Sequence, residues 1–212
     1  MELSSLTYIS ILLVALFNLT PGNHRVVQER TGGVEFLAEG SSVSGFEALP
    51  NIPLIQERLP YTSKEGRFSI TLPPGFSAFR HKTQIQPTGV GDVELHIYNS
   101  ESSRGACIVG HSDYPPATFV GRTSEQILED ARDGALKSVN GTLEKQKKTI
   151  VQGYPALSIY GSLTSGTRQI YFRFDYVLVQ PRAYQIGHIA YARADIDGPD
   201  VQNFFKSFRV EP

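Results

Sequence analysis

TIVQGYPALSIYGSLTSGTRQIYFRFDYVLVQPRAYQIGHIAYARADIDGPDVQNFFKSFRV, residues 149–210, is the stretch whose reading decides the fold. It holds three apolar runs at strand spacing, Ala156 to Leu163, Arg168 to Gln180 and Arg182 to Arg193. In the middle run Ile170, Phe172, Phe174, Tyr176 and Leu178 recur with a period of two, which predicts a strand with one apolar face. On the opposite face Tyr171, Arg173 and Asp175 give way to Val177 and Val179, so the far end should be covered on both sides. Pro181-Arg182 turns the chain into a strand in which Tyr184, Ile186, His188, Ala190 and Ala192 alternate. Gly198-Pro199-Asp200 then starts a helix with proline near its first position. Val201, Phe204, Phe205 and Phe208 fall at i, i+3, i+4 and i+7 and predict a core-facing stripe.

Upstream, Thr142 to Val151 is a polar strand whose Lys145, Lys147 and Lys148 suit an exposed edge, where charge discourages pairing with other chains. Before it a helix is predicted over Ser124 to Val139. Thr123 and Gln126 have capping-box spacing, and Glu125, Glu129 and Asp130 sit toward the positive end of the helix dipole. Leu128, Ala131, Ala135 and Val139 share a face, and Asn140-Gly141 supplies a left-handed stop. Earlier strands are predicted at Phe68 to Leu72, Arg80 to Gln86, Asp92 to Asn99 and Ala106 to His111. Pro73-Pro74-Gly75 ends the first of these, Thr88-Gly89-Val90-Gly91 joins the next two, and a loop covers Ser112 to Gly121. Strands, one helix, long strands and a last helix describe an α+β domain, an antiparallel sheet covered by helices.

Residues 1–22 form an apolar leader whose run from Leu6 to Leu19 is shorter than the roughly 20 residues of a spanning helix and near the length of a secretory signal core. Export is the expectation, placing the domain outside the cytoplasm, in the periplasm or secreted. Against it, Met1 to Ser5 lacks a basic residue and the first positive side chains are Arg25 and Arg30, a pattern that in an uncleaved anchor orients the domain toward the cytoplasm. Residues 23–60, with Gly32-Gly33, Gly40-Ser41-Ser42, Pro50, Pro53 and Pro60, read as a tether with a reach of roughly 30 to 40 Å. The folded domain is expected over 61–212.

With 212 residues and 40% hydrophobic composition, the chain suffices for one substantial core. Its 20 Lys+Arg balance 21 Asp+Glu, so no basic field favours nucleic acid as a partner. The one cysteine, Cys107, excludes an internal disulfide framework and a cysteine-based zinc cluster, and its apolar setting predicts a small buried hydrophobe.

Candidate chemistry is sparse. His81, His96 and His111 fall on three successive predicted strands, and if these pair as neighbours two imidazoles could converge with Asp113 or Glu94 on a divalent metal. The competing reading is three solitary histidines on the polar face of a sheet. Gly40 to Gly45 fails nucleophile-elbow spacing, and Gly89-Val90-Gly91 is too short for a dinucleotide fingerprint. Asp195, Asp197 and Asp200 read as caps and dipole partners of the last helix rather than a calcium site. Asn140-Gly141-Thr142 matches a glycosylation acceptor, but Asn-Gly is already required to end the helix. No catalytic residue and no cofactor is expected.

The run Gly66 to Pro73, the helix around Ala131-Arg132, the Gly153-Tyr154-Pro155 turn, the paired long strands and the closing Phe204 to Phe208 together resemble the PsbP-like superfamily. More narrowly they resemble its uncharacterised exported bacterial members. The resemblance covers Tyr61 to Val210, rests on order and hydrophobic pattern, and carries over no functional residue. It implies an α/β/α sandwich around a central antiparallel sheet. It also implies a binding or assembly role, since the best-known member is an extrinsic lumenal subunit of photosystem II and a related fold occurs in a nuclear Ran-binding factor. The expectation is a non-catalytic module, exported or membrane-tethered, that docks on a protein partner through a sheet face or an exposed helix. The alternative is a metal-dependent or hydrolytic enzyme using the strand histidines.

Overall fold

The computed structural model describes residues 60–88 and 91–212. The leader at 1–22, the tether up to residue 59 and the Gly40 to Gly45 segment lie outside these residues, as do Gly89 and Val90 of the predicted turn. In chain order come β1 (Tyr61–Ser63), β2 (Phe68–Ile70), β3 (Arg80–Thr88), β4 (Gly91–Ser102), β5 (Gly105–Asp113) and α1 (Ser124–Val139). Then follow β6 (Thr142–Val151), β7 (Tyr154–Ser165), β8 (Arg168–Val179), β9 (Arg182–Ala190), α2 (Pro199–Ser207) and β10 (Arg209–Val210). The fold is α+β. A seven-stranded sheet in the order β3-β4-β5-β9-β8-β7-β6 is accompanied by a three-stranded sheet, β1-β2-β10.

Every pairing in the large sheet is antiparallel, so directly opposed residues share a face and alternation along each strand divides the core in two. One half packs Leu95, Ile97, Ile108, Ile159, Phe172, Phe174 and Tyr176 against Ile127, Leu128 and Ala135 of α1. The other packs Tyr98, Val109, Val177, Tyr184 and Ile186 against Phe68 and Ile70 of the small sheet and Val201, Phe204, Phe205 and Phe208 at α2. Both faces of the sheet are therefore covered at its centre, while the outer strands β3 and β6 carry its exposed positions. The exposed chain directions are its two edges, β3 and β6.

Local chemistry accounts for the elements. α1 has the predicted capping box, with Thr123 Oγ1 accepting from Gln126 N–H and Gln126 Oε1 from Thr123 N–H. It ends at Asn140, which adopts φ 50° and donates its N–H back to Lys137 O. Two glycines permit the sheet's close packing. Gly187 pairs with Phe174 and Gly161 with Phe172, and a Cβ on either glycine would overlap the ring opposite.

Several expectations change in detail. β1 and β10 have no counterpart in the sequence reading. Ser69 is buried within β2, which β1 and β10 flank, and its hydroxyl donates to Glu211. The Ser112 to Gly121 loop contains a 3-10 turn over Pro116–Phe119, and Ala192 lies beyond β9. α2 begins at Pro199 after the N-cap residue Gly198, with no side-chain cap. Asp197, read as a capping residue, instead accepts from Arg173 Nη1 and from Tyr160 Oη, at 3.3 Å in each case.

Candidate functional site

The registers of β3, β4 and β5 place the three predicted histidines on one face. His96 stands opposite Thr83 on one side and His111 on the other, and His81 stands opposite Tyr98. Since His81 and His96 are diagonal neighbours across one strand pair, their rings stack with centroids 5.5 Å apart. Each ring also lies on a buried aromatic platform: His81 on Tyr98 at 4.3 Å and His96 on His111 at 4.5 Å. Exposure falls along the row, from exposed His81 through half-buried His96 to His111, which is 1% exposed.

A carboxylate arrives from the other sheet. The turn between β1 and β2 carries Glu65, whose Oε1 lies 3.4 Å from His96 Nδ1. His81 Nε2 lies 3.4 Å from that same Nδ1, and Thr83 Oγ1 lies 3.5 Å from it. Among the described residues, Glu65, His81 and His96 bring one ligand atom each within 4.8 Å of one another. Glu94 stands farther off, its Oε2 at 4.0 Å from His96 Nε2.

The other two predicted participants are placed differently. Both ring nitrogens of His111 are buried without a hydrogen-bond partner. Burial, with Arg182 and His96 nearby, pushes that imidazole down to about 3. It offers the row a ring face rather than a lone pair. Asp113 is committed to Arg182, which donates to its two oxygens from Nε and Nη2 at 2.7 Å each, and this holds its carboxyl below the usual carboxylate range.

The turn that presents Glu65 is fastened at several points. Gly66 N–H donates to Ser63 Oγ at 2.9 Å, Arg182 Nη1 donates to Glu65 O at 2.9 Å, and Tyr184 Oη donates to Gly66 O at 2.8 Å. Sequence reasoning missed Glu65 because it stands in a turn with no periodicity, and nothing local to it signals a ligand.

Two further polar clusters stand out, one in the core and one at its margin. Cys107 Sγ is 3.5 Å from His188 Nδ1, the pairing that a thiol nucleophile requires, but both side chains are sealed from solvent. Burial raises the Cys107 thiol well above its ordinary value and lowers the His188 imidazole to about 4. A neutral thiol beside a neutral imidazole is the inactive combination, so Cys107 is the buried hydrophobe that the sequence predicts. Arg173 lays its guanidinium 3.8 Å above the Phe205 ring and faces Asp175 at 3.6 Å and Asp197 at 3.3 Å, a clamp joining α2 to β8.

The solution structure of the cyanobacterial PsbP, CyanoP, from Synechocystis matches with a TM-score of 0.51 at 14% identity, covering 72% of this chain and 91% of that one. The chain has the CyanoP fold. At that identity the likeness to CyanoP is one of architecture. A Pseudomonas aeruginosa protein of unknown function is similar at TM-score 0.34 and 11% identity, covering 65% of this chain and 85% of its own. LpqN of Mycobacterium tuberculosis, involved in cell envelope biogenesis, is similar at 0.46 and 12%, covering 74% and 91%. Neither a family model nor a curated protein matches the chain. Among the described residues no helix is long and apolar enough to cross a membrane.

Proposed function

We propose that the chain is a PsbP-like binding or assembly module, exported or held at a membrane by its N-terminal segment, that engages a protein partner and performs no chemistry of its own. The observation that carries this reading is the CyanoP architecture over 72% of the chain. The superfamily named from the sequence is one of binding and assembly proteins. The internal chemistry agrees: the one cysteine and its histidine are closed off in the core, and the Arg173 cluster serves to pin α2. The apolar leader and the tether read from 23–60 supply a reason for modest intrinsic affinity to suffice, since tethering raises the local concentration of the domain near a membrane-bound partner. An extracytoplasmic location and kinship with the exported bacterial members belong to the same proposal.

The test joins location to partnership. A topology reporter fused after Pro212 is expected to be active only outside the cytoplasm. In-cell crosslinking of the tagged full chain is expected to yield one dominant adduct of defined mass in the same fraction. Reporter activity confined to the cytoplasm overturns the export reading, and a chain that crosslinks to nothing overturns the binding reading.

A further inference from the structure

We propose that Glu65, His81 and His96 form a binding site for a late first-row divalent metal ion of the Zn2+ type, which fastens the β1–β2 turn to the edge of the seven-stranded sheet. The distances motivate this first. His96 Nδ1 lies 3.4 Å from both Glu65 Oε1 and His81 Nε2. N–H···O hydrogen bonds cluster near about 2.9 to 3.0 Å. Two ligand atoms bonded to a tetrahedral ion at about 2.0 to 2.1 Å lie roughly 3.3 to 3.4 Å apart. The spacing suits atoms bridged by an ion better than atoms bonded to each other.

The donor set selects the metal class. Two imidazole nitrogens and one carboxylate oxygen suit zinc and its neighbours, whereas calcium and magnesium favour shells of oxygen. Because Glu65 and His81 are exposed, the remaining coordination position opens to water. The surroundings hold the donors in place. Tyr98 and His111 support the two rings, and Ser63, Arg182 and Tyr184 fix the turn that carries Glu65. With Nδ1 of His96 on the metal, its Nε2 carries the proton, and the Glu94 carboxylate lies 4.0 Å from it, farther than a direct hydrogen bond. The two ring planes differ by only 12°, so binding requires them to turn toward a common point. His81, exposed on edge strand β3, has the freedom to do so.

The site is independent of the partner-binding reading, and its test uses purified chain alone. The chelator-treated full-length protein is titrated with Zn2+ by calorimetry and with Co2+ by visible absorption. One ion per chain, an intense tetrahedral Co2+ band and a rise in melting temperature with Zn2+ are expected. His81→Ala and Glu65→Gln alter exposed side chains, so each should keep a cooperative metal-free melting transition while weakening binding by at least about tenfold. Asp200→Asn, which alters an exposed carboxylate on α2, should bind like the parent. Absence of stoichiometric uptake, or uptake undiminished in both His81→Ala and Glu65→Gln, overturns the proposal.

Discussion

Replacing Phe205 with alanine removes a ring that is 8% exposed and does two jobs. It fills the layer between α2 and the sheet, meeting Phe204 edge-on at 5.3 Å, and it receives the Arg173 guanidinium on its face at 3.8 Å. Deleting a buried phenylalanine costs about 3 to 5 kcal/mol, and a partly desolvated cation–π contact falls within that loss at about 0.5 to 2 kcal/mol. Phe205→Leu separates the two parts. It keeps most of the apolar volume and loses the π face, so about 1 to 2 kcal/mol is expected. With a urea m-value of about 2 to 2.5 kcal/mol/M, a loss of about 4 kcal/mol lowers the midpoint of Phe205→Ala by roughly 1.5 to 2 M. Equilibrium urea unfolding followed by far-UV circular dichroism reads both variants. A midpoint within about 0.3 M of the parent for Phe205→Ala would show that α2 is peripheral and refute the two-layer core. Equal damage from Phe205→Leu would mean that contact with Arg173, rather than burial, holds the helix.

Gly187→Ala forces a methyl group into the Phe174 ring and is expected to cost about 2 to 3 kcal/mol. Phe174→Leu in the same chain should recover part of that loss, and an unchanged midpoint in the single variant would contradict the described register. His188 has its imidazole lowered to about 4 against an ordinary 6.5, so the unfolded chain takes up its proton first. Its contribution is complete above pH 6.5 and is lost as pH falls toward 4, about 3 kcal/mol in all. His188→Gln should flatten the acid limb of stability against pH, and a ring titration centred near the ordinary value would contradict the described burial.

What could be read from the sequence follows how local each signal is. α1 runs over Ser124–Val139 as predicted, because Thr123, Gln126 and Asn140 encode its ends within a few residues. β8 and β9 were legible because alternation persists over 12 and 9 residues. Strands β1 and β10, of 3 and 2 residues, are too short to show a period and exist only through their pairing with β2. The candidate site divides in the same way. Alternation put His96 on the face of Tyr98, but which histidines meet depends on the β3–β4 and β4–β5 registers, which no residue announces. Asp113 was a reasonable ligand until Arg182, 69 positions away, proved to hold both its oxygens. Glu65 enters only because the small sheet lies over the large one.

The central claim, a module that works by docking on a protein at a membrane, is tested most directly by equilibrium binding of labelled full-length protein to membranes from the source cells. Parallel samples are stripped of surface protein by protease. Saturable binding that unlabelled chain displaces and protease treatment abolishes is the predicted result. Binding that is non-saturable, or that survives protease treatment undiminished, contradicts the claim.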